Sequence, residues 1–155
     1  SFELYFCNIS TRSLRASEIK SNIEIVLNEI KKAHESSHFM KLAIPKLVAV
    51  SKKQEDYKVL EALKSGQRCF GENRVQEAQQ RWSQKLETFK NLELRLIGPL
   101  QTNKVKQALD IFDIIESVDR EKLAKELAVK FNQDVKTKKF YIQVNTGCET
   151  QKSGI

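Results

Sequence analysis

At 155 residues, with 40% hydrophobic and 30% charged side chains, the chain has the length and balance of one globular domain with one sizeable core. A net charge of +7 leaves nucleic acid or anionic ligands open as partners, and no apolar run is long enough to cross a bilayer. Cys7, Cys69 and Cys148 are odd in number and form no Cys-x-x-Cys pair, which points to reduced thiols in a cytoplasmic compartment; His34 and His38 have no ligand cluster around them, which argues against a metal site.

Residues 1–16 read as an irregular N-terminal extension ahead of one domain at 17–155. The stretch holds Phe2, Tyr5 and Phe6, then turns rich in Ser, Thr and Arg with Glu3 as its single acid. A targeting leader shares this composition, but a frayed or vestigial extension is the preferred reading. A helix opens at Ser17-Glu18, with Ile19, Ile23, Val26, Leu27 and Ile30 at helical intervals, and it fades into a loop at 34–38. Pro45 then introduces Lys46-Leu47-Val48-Ala49-Val50-Ser51-Lys52, too short and too apolar for a helix, so it reads as a buried strand.

The alternation continues from there. Residues 57–64 form a helix stopped by Ser65-Gly66, and Cys69-Phe70-Gly71 a second strand. A polar-faced helix covers 75–86, and a third strand covers 94–98. Thr102-Asn103 begins the next helix, and a fourth strand covers 112–118. Asp119 is expected to cap a helix that places Leu123, Ala124, Leu127, Ala128 and Phe131 on one face. The fifth strand covers 140–145 and leads into a polar tail.

Alternating strands and helices call for parallel strands joined by right-handed crossovers. A doubly wound sheet and a (β/α)8 TIM-type barrel both fit. The absence of Gly-x-Gly-x-x-Gly after the first strand speaks against a dinucleotide fold. Polar and glycine residues at every strand end favour the barrel. A closed barrel needs eight strands and about 250 residues. The expected fold class is therefore α/β, an incomplete (β/α)8 barrel with about five parallel strands.

Lys52 is the residue of most chemical interest. In a strand, Val48, Val50 and Lys52 share one face and Leu47, Ala49 and Ser51 the other. An amine at the carboxyl end of a parallel strand sits where α/β proteins place their ligands. A lysine closing a strand is, by itself, more often a solvated terminus.

The strand ends together resemble a known family. Val48-Ala49-Val50-Ser51-Lys52, Phe70-Gly71-Glu72-Asn73-Arg74-Val75-Gln76-Glu77, Ile97-Gly98-Pro99-Leu100-Gln101-Thr102-Asn103-Lys104, Ser117-Val118-Asp119 and Gln143-Val144-Asn145 with Gln151-Lys152-Ser153-Gly154 occur in register. This pattern, over residues 19–155, is similar to that of the pyridoxal 5′-phosphate homeostasis (YggS-like) proteins. The resemblance implies a barrel of the alanine-racemase N-terminal type, with pyridoxal 5′-phosphate held as an aldimine on Lys52. It also implies a role in storing or buffering the cofactor, without turnover.

Asn73 and Asn145 are then expected to hydrogen-bond ring substituents, and Gln101, Asn103 and Lys104 to form a polar, partly cationic wall. Each has an ordinary alternative as a turn, cap or solvated residue. An aldehyde is trapped by a neutral amine, a state that partial burial and the neighbouring Lys53 would favour at Lys52. Leu94 and Arg95 stand where the family commonly carries an aromatic residue and a histidine, Arg74 where tyrosine is frequent, and Lys53 where threonine is common. The family pattern continues for three more strands, whose loops are expected to grip the phosphate. The chain is accordingly expected to be a fragment that binds the cofactor weakly and self-associates through open edges at its first and fifth strands.

Two other functions compete. A racemase-like enzyme of the same fold type would use Lys52 as a base, but needs a second domain and an opposing acid–base residue. A nucleic-acid-binding protein would use the net charge, yet the basic residues are scattered among acids rather than gathered in one stripe.

Overall fold

In the computed structural model, which describes residues 3–6, 16–38 and 41–155, the short apolar runs become strands and the 3.6-periodic stretches become helices. The chain divides into two compact units, Ser1–Phe70 and Gly71–Ile155. The division falls inside a strand, so each unit holds two of that strand's residues.

The first unit contains β1 (Glu3–Phe6), α1 (Ala16–Glu35), β2 (Lys46–Val50), α2 (Asp56–Lys64) and the opening residues of β3 (Cys69–Glu72). β2 buries Leu47 and Val48, and α2 buries Val59, Ala62 and Leu63. Gly66, at φ +99°, ends α2 in the left-handed conformation that favours glycine. The buried Gln67 side chain then donates from Nε2 to the carbonyls of Leu47 at 3.0 Å and Cys69 at 2.7 Å. One amide group thereby joins β2 to the start of β3. Cys69 is buried and not part of a disulfide, while Cys7 lies outside the described residues.

One correction concerns the N-terminal extension. Glu3–Phe6 is a strand, not irregular chain, and it runs parallel to β2 with Glu3 opposite Lys46 and Phe6 opposite Ala49. An edge strand exposes a row of unsatisfied amides and carbonyls. The run Leu4-Tyr5-Phe6 has the aromatic composition that suits a strand, and it occupies the β2 edge that was expected to be open. The five expected strands correspond to β2 onward, with β1 as a sixth.

The second unit continues with the end of β3, α3 (Val75–Thr88), β4 (Glu93–Leu96), a 3-10 turn (Thr102–Lys104), α4 (Val105–Ile111), β5 (Ile114–Val118), α5 (Glu121–Lys130) and β6 (Lys139–Ile142). β4, β5 and β6 pair in parallel, Arg95 opposite Ile114 and Ile115 opposite Phe140. Leu94, Leu96 and Ile115 share one face and are fully buried, as are Trp82, Leu109, Phe112 and Leu123. Arg95, on the opposite face, is 1% exposed. It donates from Nε to Glu93 at 2.7 Å and from Nη1 to Glu116 at 3.1 Å.

α5 departs from expectation in two respects. Its N-cap is Arg120, and no side chain caps the helix; the Asp119 carboxylate instead accepts from the Arg120 guanidinium. Of the expected apolar face, Leu123 and Leu127 are buried, while Ala124, Ala128 and Phe131 are exposed. All four residues of β6 are also exposed.

The tightest backbone approach lies at the exits of β3 and β4. Ile97 N–H donates to the Glu72 carbonyl at 2.9 Å, and a Cβ on Gly98 would lie 2.3 Å from the Asn73 carbonyl oxygen. Gly98→Ala therefore forces two strand exits apart and should cost about 1–3 kcal/mol, measured as a lowered denaturant midpoint. Gly147→Ala is the control: its Cβ would meet the mobile end of the Glu149 side chain at 3.2 Å, and stability should hardly change.

Candidate functional site

Lys52 lies just beyond β2, in a tight turn rather than in the strand. Gln54 N–H donates to the Ser51 carbonyl at 3.1 Å, which places Lys52 and Lys53 at the two corners. Lys53 has φ +56°, a left-handed conformation that costs a residue with a Cβ roughly 1–2 kcal/mol. Ser51 is buried and Lys52 half-buried. The turn holds the lysine at the carboxyl end of a buried parallel strand, and no carboxylate among the described residues pairs with its ammonium. Such a side chain keeps its amine available for a ligand, in contrast to Lys58, which pairs with Glu55 at 3.4 Å.

The second unit carries its own concavity. A solvent-open cavity of about 610 Å³ lies between the β3–α3 loop and the segment after β4. Asn73, Arg74 and Gln76 line one side, and Pro99, Leu100, Gln101 and Lys104 the other. Two features hold these loops in place. Buried Glu72 accepts from Trp82 Nε1 at 3.0 Å and from Arg81 Nη1 at 2.9 Å, which ties α3 to the end of β3. Gly98 permits the close approach of the β4 exit.

The cavity thus brings together Asn73, Gln101 and Lys104. Asn103 is exposed and outside it. Arg74 and Gln76 were overlooked as cavity residues; they belong to the same motif as Asn73, and that adjacency was the signal available in the sequence.

Asn145 does different work. Its Nδ2 donates to the Glu149 carbonyl at 2.9 Å and its Oδ1 accepts from Glu149 N–H at 3.2 Å. Backbone bonds Asn145 N–H to Ile155 O and Ile155 N–H to Gln143 O, both 3.0 Å, close the loop on itself. A Cβ on Gly154 would lie 2.6 Å from Asn145 N, and Gly154 itself has φ +132°. Asn145 therefore organises its own loop, and Lys152 pairs within that loop with Glu149. Arg95 is likewise committed, held between two carboxylates.

Among the described residues, no group of three His, Cys, Asp or Glu is arranged to hold a metal. No helix among them is long and apolar enough to cross a membrane.

The same segments carry the similarity to known proteins. Residues 19–155 match the family described as alanine racemase, N-terminal domain. A pyridoxal phosphate homeostasis protein of Vibrio cholerae is 37% identical over 139 residues, covering 88% of this chain and 58% of its relative. Two solved structures of PipY from Synechococcus elongatus also match. One, without pyridoxal phosphate, has a TM-score of 0.69 at 30% identity and covers 88% of this chain and 58% of PipY. The other, with it bound, has a TM-score of 0.60 at 34% identity, covering 72% of this chain and 47% of PipY. The chain spans less than two thirds of the length of these relatives. The parallel strand–helix alternation, the motifs at the strand exits and these matches together place the chain in the alanine racemase N-terminal domain family, with similarity to proteins named for pyridoxal phosphate homeostasis.

Proposed function

We propose that this chain belongs to a protein that binds pyridoxal 5′-phosphate for cofactor homeostasis, with Lys52 as the covalent anchor and no turnover of amino acids. The observation that carries this reading is the half-buried Lys52 amine, without an ion pair among the described residues, at the carboxyl end of β2. When bound, the cofactor contributes an aldehyde that combines reversibly with a neutral primary amine. The chain contributes the amine, held by the Ser51–Gln54 turn and backed by the buried Leu47 and Val48. Asn73 and Gln101 are proposed as polar contacts to the cofactor. Asn103, which lies outside the cavity, is proposed as a contact from its rim, and Asn145 is proposed to act by shaping its loop.

The names of the relatives favour homeostasis over catalysis, and a cytoplasmic location is proposed with it. The racemase-like alternative has no specific support in the described residues. The nucleic-acid alternative is disfavoured because helix cations pair along the helix with acids, as in Lys20–Glu24, Lys31–Glu35 and Lys125–Glu121.

Self-association through β6 is proposed as well. The strand ends the β4–β5–β6 order; its Ile142 is 63% exposed, and Val144, just beyond it, 59%. An exposed apolar edge strand is a template for pairing.

Borohydride treatment with the cofactor present, followed by peptide mapping, should fix the pyridoxyl group on Lys52. Modification at Lys53 or Lys46 instead would overturn the assignment. Lys52→Ala should abolish the visible absorbance and leave the circular dichroism unchanged, and racemase activity that scales with purified protein would favour the enzyme. Asn145→Ala should loosen its loop, increasing hydrogen exchange at Cys148, Glu149 and Ile155. A loss of cofactor without that change would make Asn145 a direct ligand. Sedimentation should show concentration-dependent association that Ile142→Lys weakens; a monomer at all concentrations would exclude the β6 contact.

A further inference from the structure

We propose that the cavity between the β3–α3 loop and the 3-10 turn is a binding site for a phosphate monoester dianion, and that it needs nothing from Lys52. The charge of its lining carries the inference. Arg74 and Lys104 face a space of about 610 Å³ lined also by Asn73, Gln76 and Gln101, and no carboxylate contributes to it. Several other cations of the unit are matched by carboxylates: Arg95 by Glu93 and Glu116, Lys136 by Asp113, Lys130 by Glu126. Lys104 has no ion pair among the described residues and is only half exposed to solvent. Arg74 bonds Glu77 through Nη1 at 3.1 Å, but with the Arg74 side chain 72% exposed such a pair contributes little. The rest of its planar fork remains for a bidentate contact with oxyanions.

The geometry fits this use. The 3-10 turn is closed by Lys104 N–H donating to the Gln101 carbonyl at 3.0 Å, so the bases of both residues are fixed. Glu72 anchors α3 through Arg81 and Trp82, which fixes the helix that follows Arg74. Two cations and three neutral amides, with Pro99 and Leu100 as an apolar floor, suit a phosphate attached to a small organic group. That phosphate has two sources, the cofactor and other phosphorylated metabolites.

The test uses the Lys52→Ala variant, so that covalent capture cannot contribute. Calorimetric titration at fixed ionic strength with inorganic phosphate should show one saturable site. Lys104→Gln and Arg74→Gln should each weaken it about tenfold or more, the loss of one charge-assisted contact. Lys104→Arg should retain binding. Lys106→Gln, which removes an exposed cation outside the cavity, should have little effect. Absence of saturable binding, or an equal loss in Lys106→Gln, would overturn the proposal. Competition by pyridoxal phosphate but not by adenosine monophosphate supports the site and assigns the anion to the cofactor; competition by both supports it as a general phosphate-monoester site. Because the Lys52 assignment is read by mass mapping, either proposal can fail alone.

Discussion

The second unit depends on two strand exits being pressed together. Ile97 reaches the Glu72 carbonyl, and Gly98 passes so close to Asn73 that no side chain fits between them. Parallel strands place their carboxyl ends on one side, but that alone leaves loops free to splay. Here the close approach sets the separation of the loops carrying Asn73 and Arg74 on one side and Gln101 and Lys104 on the other. The cavity is the space left between them.

Buried charge reinforces this arrangement. Glu72 is fully buried at the end of β3 and receives an indole N–H and a guanidinium from α3. Burying a carboxylate is costly unless it is paired; both of these donors meet Oε1, and together they tie α3 to the strand it follows. Arg95 obeys the same rule with the opposite sign, its guanidinium shared by Glu93 and Glu116. Its charge is neutralised locally, which separates it in kind from Lys52 and Lys104.

The two ends of the described chain illustrate how strand edges are handled. β2 gains a partner in β1 through backbone bonds that an aromatic-rich segment is suited to make. β6 presents Phe140, Tyr141 and Ile142 to solvent. An edge of this composition has the character of an interaction surface.

The sequence by itself determined the alternation of strands and helices, the β2 and β3 strands nearly to the residue, and the candidacy of Lys52. These follow from local signals: Pro45 and Gly66 punctuate, apolar runs bury, and the exit motifs follow their strands directly. Tertiary structure decided the rest. Glu3–Phe6 became a strand because β2 had an edge to offer, a fact about pairing that no local pattern contains. Asp119 did not cap α5 because Arg120 took its carboxylate. Asn145 turned into its own loop because the carbonyl and amide of Glu149 came within reach. Arg74 and Lys104, thirty positions apart in the chain, line one cavity only because Gly98 lets the exits of β3 and β4 meet. Side-chain roles of this kind depend on which neighbours folding supplies, and contacts distant in sequence are the part that periodicity cannot encode.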